Sequence, residues 1–430
     1  MIEIIKNKQD IENFFSVLKE RSSTSDGKYI QTVKEIIDDV RKNQDKALLK
    51  YTRQFDDENF NIEDMEVSLA EQEKAFDSLS DKMKQVLYRA KDRIYSYHLH
   101  QKREGFLYEG DYQEQLGQKI TPLERVGVYV PGGKAAYPSS VLMNILPAKV
   151  AGVQEIIMVT PAVHGYVNPL VLAAAYICGV NHIFKIGGAQ AIAALAYGTT
   201  SVPKVDKIVG PGNIFVALAK KEVYGTVGID SIAGPSEICI VADSTSKPKY
   251  IAADLLGQAE HDELASSVLF ITDEKIAYEI QKEVIRFYET SSRKAILDSS
   301  LSKYSKIVIV DSLKEAIDYA NRVAPEHLEL AIDHAMDYVD DIKNAGAIFI
   351  GHYSPEALGD YMAGPNHVLP TVGTSRFFSP LGVDDFIKKS SLISFTKEAA
   401  KNLIDDVDTF AMAEGCLLYT SPSPRDPKTS

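Results

Sequence analysis

Cysteine is scarce in this chain: Cys178, Cys239 and Cys416 are its three, widely separated among 430 residues. They offer neither a CxxC pair nor a disulfide framework, so any zinc has to rely on other ligands. An apolar run of about eighteen residues, the length that signals a membrane-spanning helix, is absent as well. Positive charge is in short supply, with 47 Lys and Arg against 60 Asp and Glu and a formal net charge of −13. No Lys/Arg block interleaved with aromatics occurs, which excludes a nucleic acid as the expected partner. The opening Met1-Ile2-Glu3-Ile4-Ile5-Lys6 lacks the basic, apolar and small-residue regions of a secretory signal, so the cytoplasm is the expected compartment. What is present, 45% hydrophobic and 25% charged residues, suits a soluble globular protein of two or more domains.

The first hundred residues follow a helical pattern, with Ile30, Val33, Ile36, Ile37 and Val40 recurring among Lys, Glu and Asp. From Arg125 the pattern changes to short apolar runs that end in Gly or Pro and precede Ala-rich helices. These are 126–130, 155–159, 182–186 and 207–209, followed by a second series at 238–241, 267–271, 306–310 and 347–350. Strands alternating with helices imply parallel sheets, and the expected fold class is α/β with two similar doubly wound, Rossmann-like globules. Helical N-terminal and C-terminal extensions complete that expectation.

Most of the polar chemistry lies in a few short stretches. Gln258 and His261, three apart in a largely apolar run, emerge from one face of a helix and can grip one ion. Asp360 adds a hard carboxylate, and zinc accepts such a mixed oxygen and nitrogen set. The same spacing also fits an ordinary surface helix. Glu326 and His327 follow Pro325, which is placed to open a helix toward Leu330 and Ile332. With ordinary pKa values of about 4.3 and about 6.5, the pair can accept protons in two different steps, or can simply make a favourable helix start. Strand ends carry Pro131-Gly132-Gly133, Gly187-Gly188-Ala189-Gln190 and Gly210-Pro211-Gly212-Asn213, where glycine lets a backbone approach a phosphate. The dinucleotide fingerprint is incomplete, since Phe215 stands where its third glycine belongs. Such loops also end strands with no ligand at all.

The stretches 125–133, 187–194, 202–213, Ala233-Gly234-Pro235-Ser236-Glu237, 257–261, 325–327 and 359–371 together resemble histidinol dehydrogenase. The resemblance implies a zinc-dependent, NAD-linked enzyme that oxidises L-histidinol through the aldehyde to L-histidine, the last step of histidine biosynthesis. Carried over by motif, Gln258, His261 and Asp360 are zinc ligands, His327 takes the alcohol proton, and Glu326 activates the water that hydrates the aldehyde. Ser236, Gln258, His261, His327, Asp360, His367 and Glu414 contact substrate, while Tyr129, Gln190 and Asn213 line the NAD site. Packing or turn-capping roles stay open for Ser236, Tyr129, Gln190 and His367. The family is a homodimer with a swapped C-terminal segment.

The implied division is an N-terminal extension at 1–25, a first globule on the substrate and zinc side at 26–128 with 237–381, and a second, NAD-side globule at 129–236. A dimer-swapped segment at 382–415 follows. After Gly415 the chain departs from the family, for Tyr419 stands where a further zinc-ligating His is expected. The Ser/Pro composition of 416–430 reads as an atypical terminus, expected to be disordered. Two alternatives remain within this pattern, a paralogue acting on another amino alcohol or a diol, and a substrate-binding remnant with a defective tail. A metallohydrolase built on the same His, Asp and Glu set is a third.

Overall fold

Each of the eight short apolar runs singled out from Val126 onward falls on a strand, and the pairing explains why those runs are so uniformly apolar. The computed structural model describes residues 1–21, 26–132 and 137–415. Its strands in chain order are β1 (Glu3–Ile5), β2 (Phe106–Glu109), β3 (Gln115–Pro122), β4 (Arg125–Tyr129), β5 (Glu155–Val159), β6 (His182–Phe184) and β7 (Lys207–Val209). There follow β8 (Gly228–Ile229), β9 (Glu237–Ala242), β10 (Ser266–Ile271), β11 (Lys306–Ile309), β12 (His327–Ala331), β13 (Ala347–Ile350) and β14 (Ile387–Ser394). Two units can be distinguished, one of Met1–Gln101 with Glu124–Phe386, the other of Lys102–Leu123 with the chain from Ile387.

The first unit contains two parallel sheets, of order β6-β5-β4-β7-β8 and β1-β11-β10-β9-β12-β13. Helices cover such sheets on both faces, so a central strand has no solvent side and needs apolar residues throughout. β10 is buried along its whole length, and so is β9. Strand order reverses between β4 and β7 and again between β9 and β12, the two doubly wound switch points.

Residues 327–331 form β12 instead of continuing a helix from Pro325. His-Leu-Glu-Leu-Ala is made of good helix formers, but pairing with β9 on one side and β13 on the other overrides that local preference. The N-terminal stretch is part of a sheet, not an added extension. β1 pairs with β11, and Ile2, Ile5, Ile11 and Phe14 are buried in the cores beside the six-stranded sheet. Helices Asp26–Asn43 and Asp45–Phe55 pack Val33, Ile36, Val40 and Leu48 with Tyr129, Ile157 and Phe184. They therefore share a core with the five-stranded sheet, whereas the sequence reading grouped 26–128 with 237–381. An amphipathic stripe states that a helix is covered but not by which sheet.

The second unit is antiparallel, with order β14-β3-β2, followed by helix Lys397–Ala413. The expected C-terminal segment at 382–415 thus splits, because Val383 and Phe386 are buried in the first unit. The atypical tail, with Cys416 and Tyr419, lies outside the described residues, as does Gly133. Among the described residues no helix is long and apolar enough to cross a membrane.

Leu48, fully buried, tests the placement of the N-terminal helices. Leu48→Ala is expected to lower stability by about 2–5 kcal/mol in a denaturant titration. A loss below about 1 kcal/mol would mean that the helix merely lies on the surface.

Candidate active site

The amino ends of β9 and β12 lie side by side, with His327 in register with Ile238. This places the backbone N–H and carbonyl of Glu237, on either side of its Cα, against two side chains. Its N–H donates to Glu326 Oε2 at 3.0 Å, and its carbonyl lies 3.1 Å from His327 Nδ1. A carbonyl can only accept, so Nδ1 carries the ring proton and Nε2 is left with its lone pair. Nε2 is buried and has no hydrogen-bond partner. Burial lowers the pKa of His327, which keeps the imidazole neutral at pH 7. Glu326 is pushed up to about 7 by burial, against the N–H of Glu237 and the hydroxyl of Ser236, which both favour its ionised form. A neutral imidazole and a carboxyl poised near neutrality thus sit together, with His327 Nδ1 3.8 Å from Glu326 Oε2.

Helix Pro248–Ala259 returns from the carboxyl edge of the six-stranded sheet to this amino edge and buries Ile251, Ala252, Leu255 and Leu256. Gln258 belongs to its last turn, and His261 lies just past its end, where its N–H donates to the Gln258 carbonyl at 3.2 Å. The expected pair therefore meets through a terminal turn, with Gln258 Nε2 3.3 Å from His261 Nδ1. The amide NH2 faces His261, and Gln258 Oε1 is left buried without a partner. Burial lowers the His261 pKa, and the neighbouring His327, whenever it is protonated, lowers it further.

Asp360 is carried by a wide turn at Gly359–Ala363, its Oδ1 4.0 Å from His327 Nε2. Glu356, one turn earlier, brings Oε2 to 3.8 Å from His327 Nδ1. His327, Glu356 and Asp360 each offer one ligand atom, all within 4.8 Å of one another. Glu356 was not among the residues picked out by sequence, although it stands four before Asp360. Burial raises Asp360 to about 6 and, with the nearby Asp360 charge, Glu356 to about 9. His367 places Nδ1 3.1 Å from the Asp360 carbonyl, and burial lowers its pKa to about 4.

The description "Histidinol dehydrogenase" belongs to the family model that matches residues 19–420. The chain belongs to the histidinol dehydrogenase family. A histidinol dehydrogenase of Clostridium acetobutylicum is 51% identical over 413 residues, covering 96% of this chain and 95% of the relative. One of Bacillus cereus is 54% identical over 399 residues, covering 93% and 92%. The crystal structure of histidinol dehydrogenase from Elizabethkingia anophelis superimposes with a TM-score of 0.92 at 35% identity, covering 97% of this chain and 96% of that one.

A divalent cation fits the donors that this family member holds at the amino edge. Gln258 Oε1 is a buried oxygen without a partner among the described residues, and an amide oxygen with the imidazole of His261 and the carboxylate of Asp360 makes a donor set that suits a divalent cation. Each raised carboxyl also reports negative charge that burial disfavours and that a cation would offset.

The carboxyl edge of the five-stranded sheet has different chemistry. Helices Gly188–Tyr197 and Ile214–Val223 both begin there. Asn213 caps the second helix through the N–H groups of Phe215 and Val216. Gly210 has φ +109°, and a Cβ there would meet the Tyr129 carbonyl at 2.1 Å, so only glycine fits. A buried Lys220–Asp230 ion pair clamps the same residue, Lys220 donating to its carbonyl at 3.0 Å and Asp230 accepting from its N–H at 2.8 Å. Tyr129 is buried, with its hydroxyl accepting from the Gly188 N–H at 3.2 Å, and thereby supports the turn. Gln190 is buried on the helix that follows. Glu414 lies in the second unit, exposed at the end of helix Lys397–Ala413.

The titrations give a signed prediction for metal-free protein. Glu326, Asp360 and Glu356 have folded pKa values of about 7, 6 and 9, above ordinary values of 4.5, 3.8 and 4.5. Their contribution to stability is complete below the ordinary values and is lost as pH rises through the folded ones. The lowered histidines act oppositely, but only below their ordinary 6.5. Between pH 6.5 and 9 the melting temperature of the metal-free chain is therefore expected to fall. Zinc should raise it more at pH 8 than at pH 6, because protons compete for the same ligands. A zinc effect independent of pH would contradict this linkage.

Proposed function

We propose that the chain oxidises L-histidinol to L-histidine in two successive steps through the aldehyde, with NAD as oxidant and zinc bound at the amino-edge site. The observation that carries the proposal is the buried Nε2 of His327, without a partner among the described residues, beside Glu326, the two side chains being held by the backbone carbonyl and N–H of Glu237. NAD supplies the hydride acceptor for both oxidations, and zinc, held by Gln258, His261 and Asp360, supplies a grip on the substrate's imidazole and amine.

The two bases have separable duties. His327 Nε2 takes the hydroxyl proton of the alcohol as its carbon loses the first hydride, a task suited to an imidazole that is already neutral. The aldehyde must then be hydrated, and Glu326 accepts the proton of the attacking water. With a pKa of about 7 it is ionised in a useful fraction at neutral pH and is still basic enough to pull. Loss of a second hydride from the hydrate gives the carboxylate. Ser236 holds Glu326, and His367 packs on the Asp360 backbone where it can contact substrate. Glu414 is carried over from the family as a further substrate contact. Tyr129, Gln190 and Asn213 are assigned to the NAD side, where two helix starts and the clamped Gly210 support that choice.

A homodimer belongs to the same proposal, and so does a cytoplasmic location. Exposed Phe106, Leu107 and Tyr108 on β2, Ile393 on β14, and Phe410 and Met412 on the last helix give the second unit an apolar surface suited to a second copy. A single-chain mass in light scattering would remove that part. Cys178 and Cys239 are free and buried, as suits a reducing compartment.

His327→Asn is expected to lower alcohol oxidation by about 10²–10⁴-fold while sparing conversion of supplied aldehyde, and Glu326→Gln to do the reverse. Equal loss of both half-reactions in both variants would contradict the division of labour.

A further inference from the structure

Glu237 is the first residue of β9, and its side chain is as constrained as its backbone. Oε2 accepts from the Val372 N–H at 3.1 Å, and Oε1 is paired with the guanidinium of Arg21. Arg21 follows the first helix, Lys8–Glu20, and lies far away in sequence. Its side chain is 0% exposed and that of Glu237 8%, while the guanidinium lies 6.0 Å from the ring centre of Tyr304. Guanidinium groups are costly to bury and are retained where their geometry is used.

We propose that Arg21 is a positioning residue for the acid–base pair, acting through Glu237. The chain of contacts is continuous. Arg21 and the Val372 N–H hold the Glu237 carboxylate, and the side chain so anchored fixes the Cα of Glu237 and with it the two amides on either side. The carbonyl of Glu237 sets the tautomer of His327, and its N–H sets the place of Glu326. The positive charge also acts directly, since it favours the ionised form of Glu326 and of Glu237. With Arg21 replaced by an uncharged group, Glu237 would take up a proton or turn toward solvent. Either change loosens both bases together while Gln258, His261 and Asp360, which contact neither Arg21 nor Glu237 in the bonds described, stay in place.

The inference rests on the dehydrogenase reading, and the experiment separates the two. Zinc-loaded wild type, Arg21→Met and Arg21→Lys are compared for NADH formation from L-histidinol, with KM measured for both substrates. Arg21→Met keeps the volume and removes the charge, while Arg21→Lys keeps the charge and loses the fork. The expected result is a kcat loss of about 10–100-fold in Arg21→Met, as for other residues that orient a site from behind, with both KM values nearly unchanged. Arg21→Lys should recover part of that loss. Wild-type kcat in a folded Arg21→Met, or a loss carried by KM, would overturn the positioning role. Should Arg21→Met not fold, Arg21→Gln takes its place, and wild-type kcat there would equally overturn the positioning role. Absence of turnover in wild type would instead overturn the dehydrogenase reading.

Discussion

Burial of like charge at the amino edge of the six-stranded sheet is the constraint on which the site depends. Glu237, Glu326, Glu356 and Asp360 are all raised by burial, and each would resist ionisation if left to itself. Positive charge must enter from somewhere. On one side Arg21 provides it from within the fold, beside Glu237. On the other, the half-buried carboxyl groups of Glu356 and Asp360 suit a divalent cation. The histidines between them are kept neutral by the same burial that strains the carboxyl groups, so they remain available as bases and ligands.

The two sheets divide the chemistry by opposite edges. In doubly wound sheets a ligand usually meets the carboxyl ends of strands, and the Gly210 loop at the switch between β4 and β7 follows that rule. The acid–base residues instead use the amino ends of β9 and β12. Proton transfer calls for fixed, partly desolvated side chains more than for helix N-termini, and an amino edge buried under a returning helix and a wide turn supplies them. Glu237 unites the arrangement because a strand-end residue presents one backbone donor and one backbone acceptor in fixed directions.

Much of this could be read from the sequence where a residue's role is local. The central strands of both sheets were legible because two-sided burial leaves a continuous apolar run, as in Ile156-Ile157-Met158. Gln258 and His261 were legible as a pair because three residues of helical or turn geometry bring them together however the helix ends. β12 was not, since its composition favours a helix and only its neighbours make it a strand. The antiparallel unit escaped notice because β3 and β14, far apart in sequence, carry little apolar alternation. Arg21 gave no local signal at all, for its meaning depends on a partner 216 positions away. Glu237 stood inside a recognised motif, yet its importance lies in its backbone, which a sequence motif does not display.

The most direct measurement is the amount of NADH formed per L-histidinol consumed by the zinc-loaded chain. The proposed bases, both held by the backbone of Glu237, one for an alcohol and one for a hydrated aldehyde, call for two NADH with L-histidine as the product. A ratio of one with aldehyde released, or consumption of substrate without NAD, would contradict the assignment of Glu326 and His327 to successive steps of one oxidation.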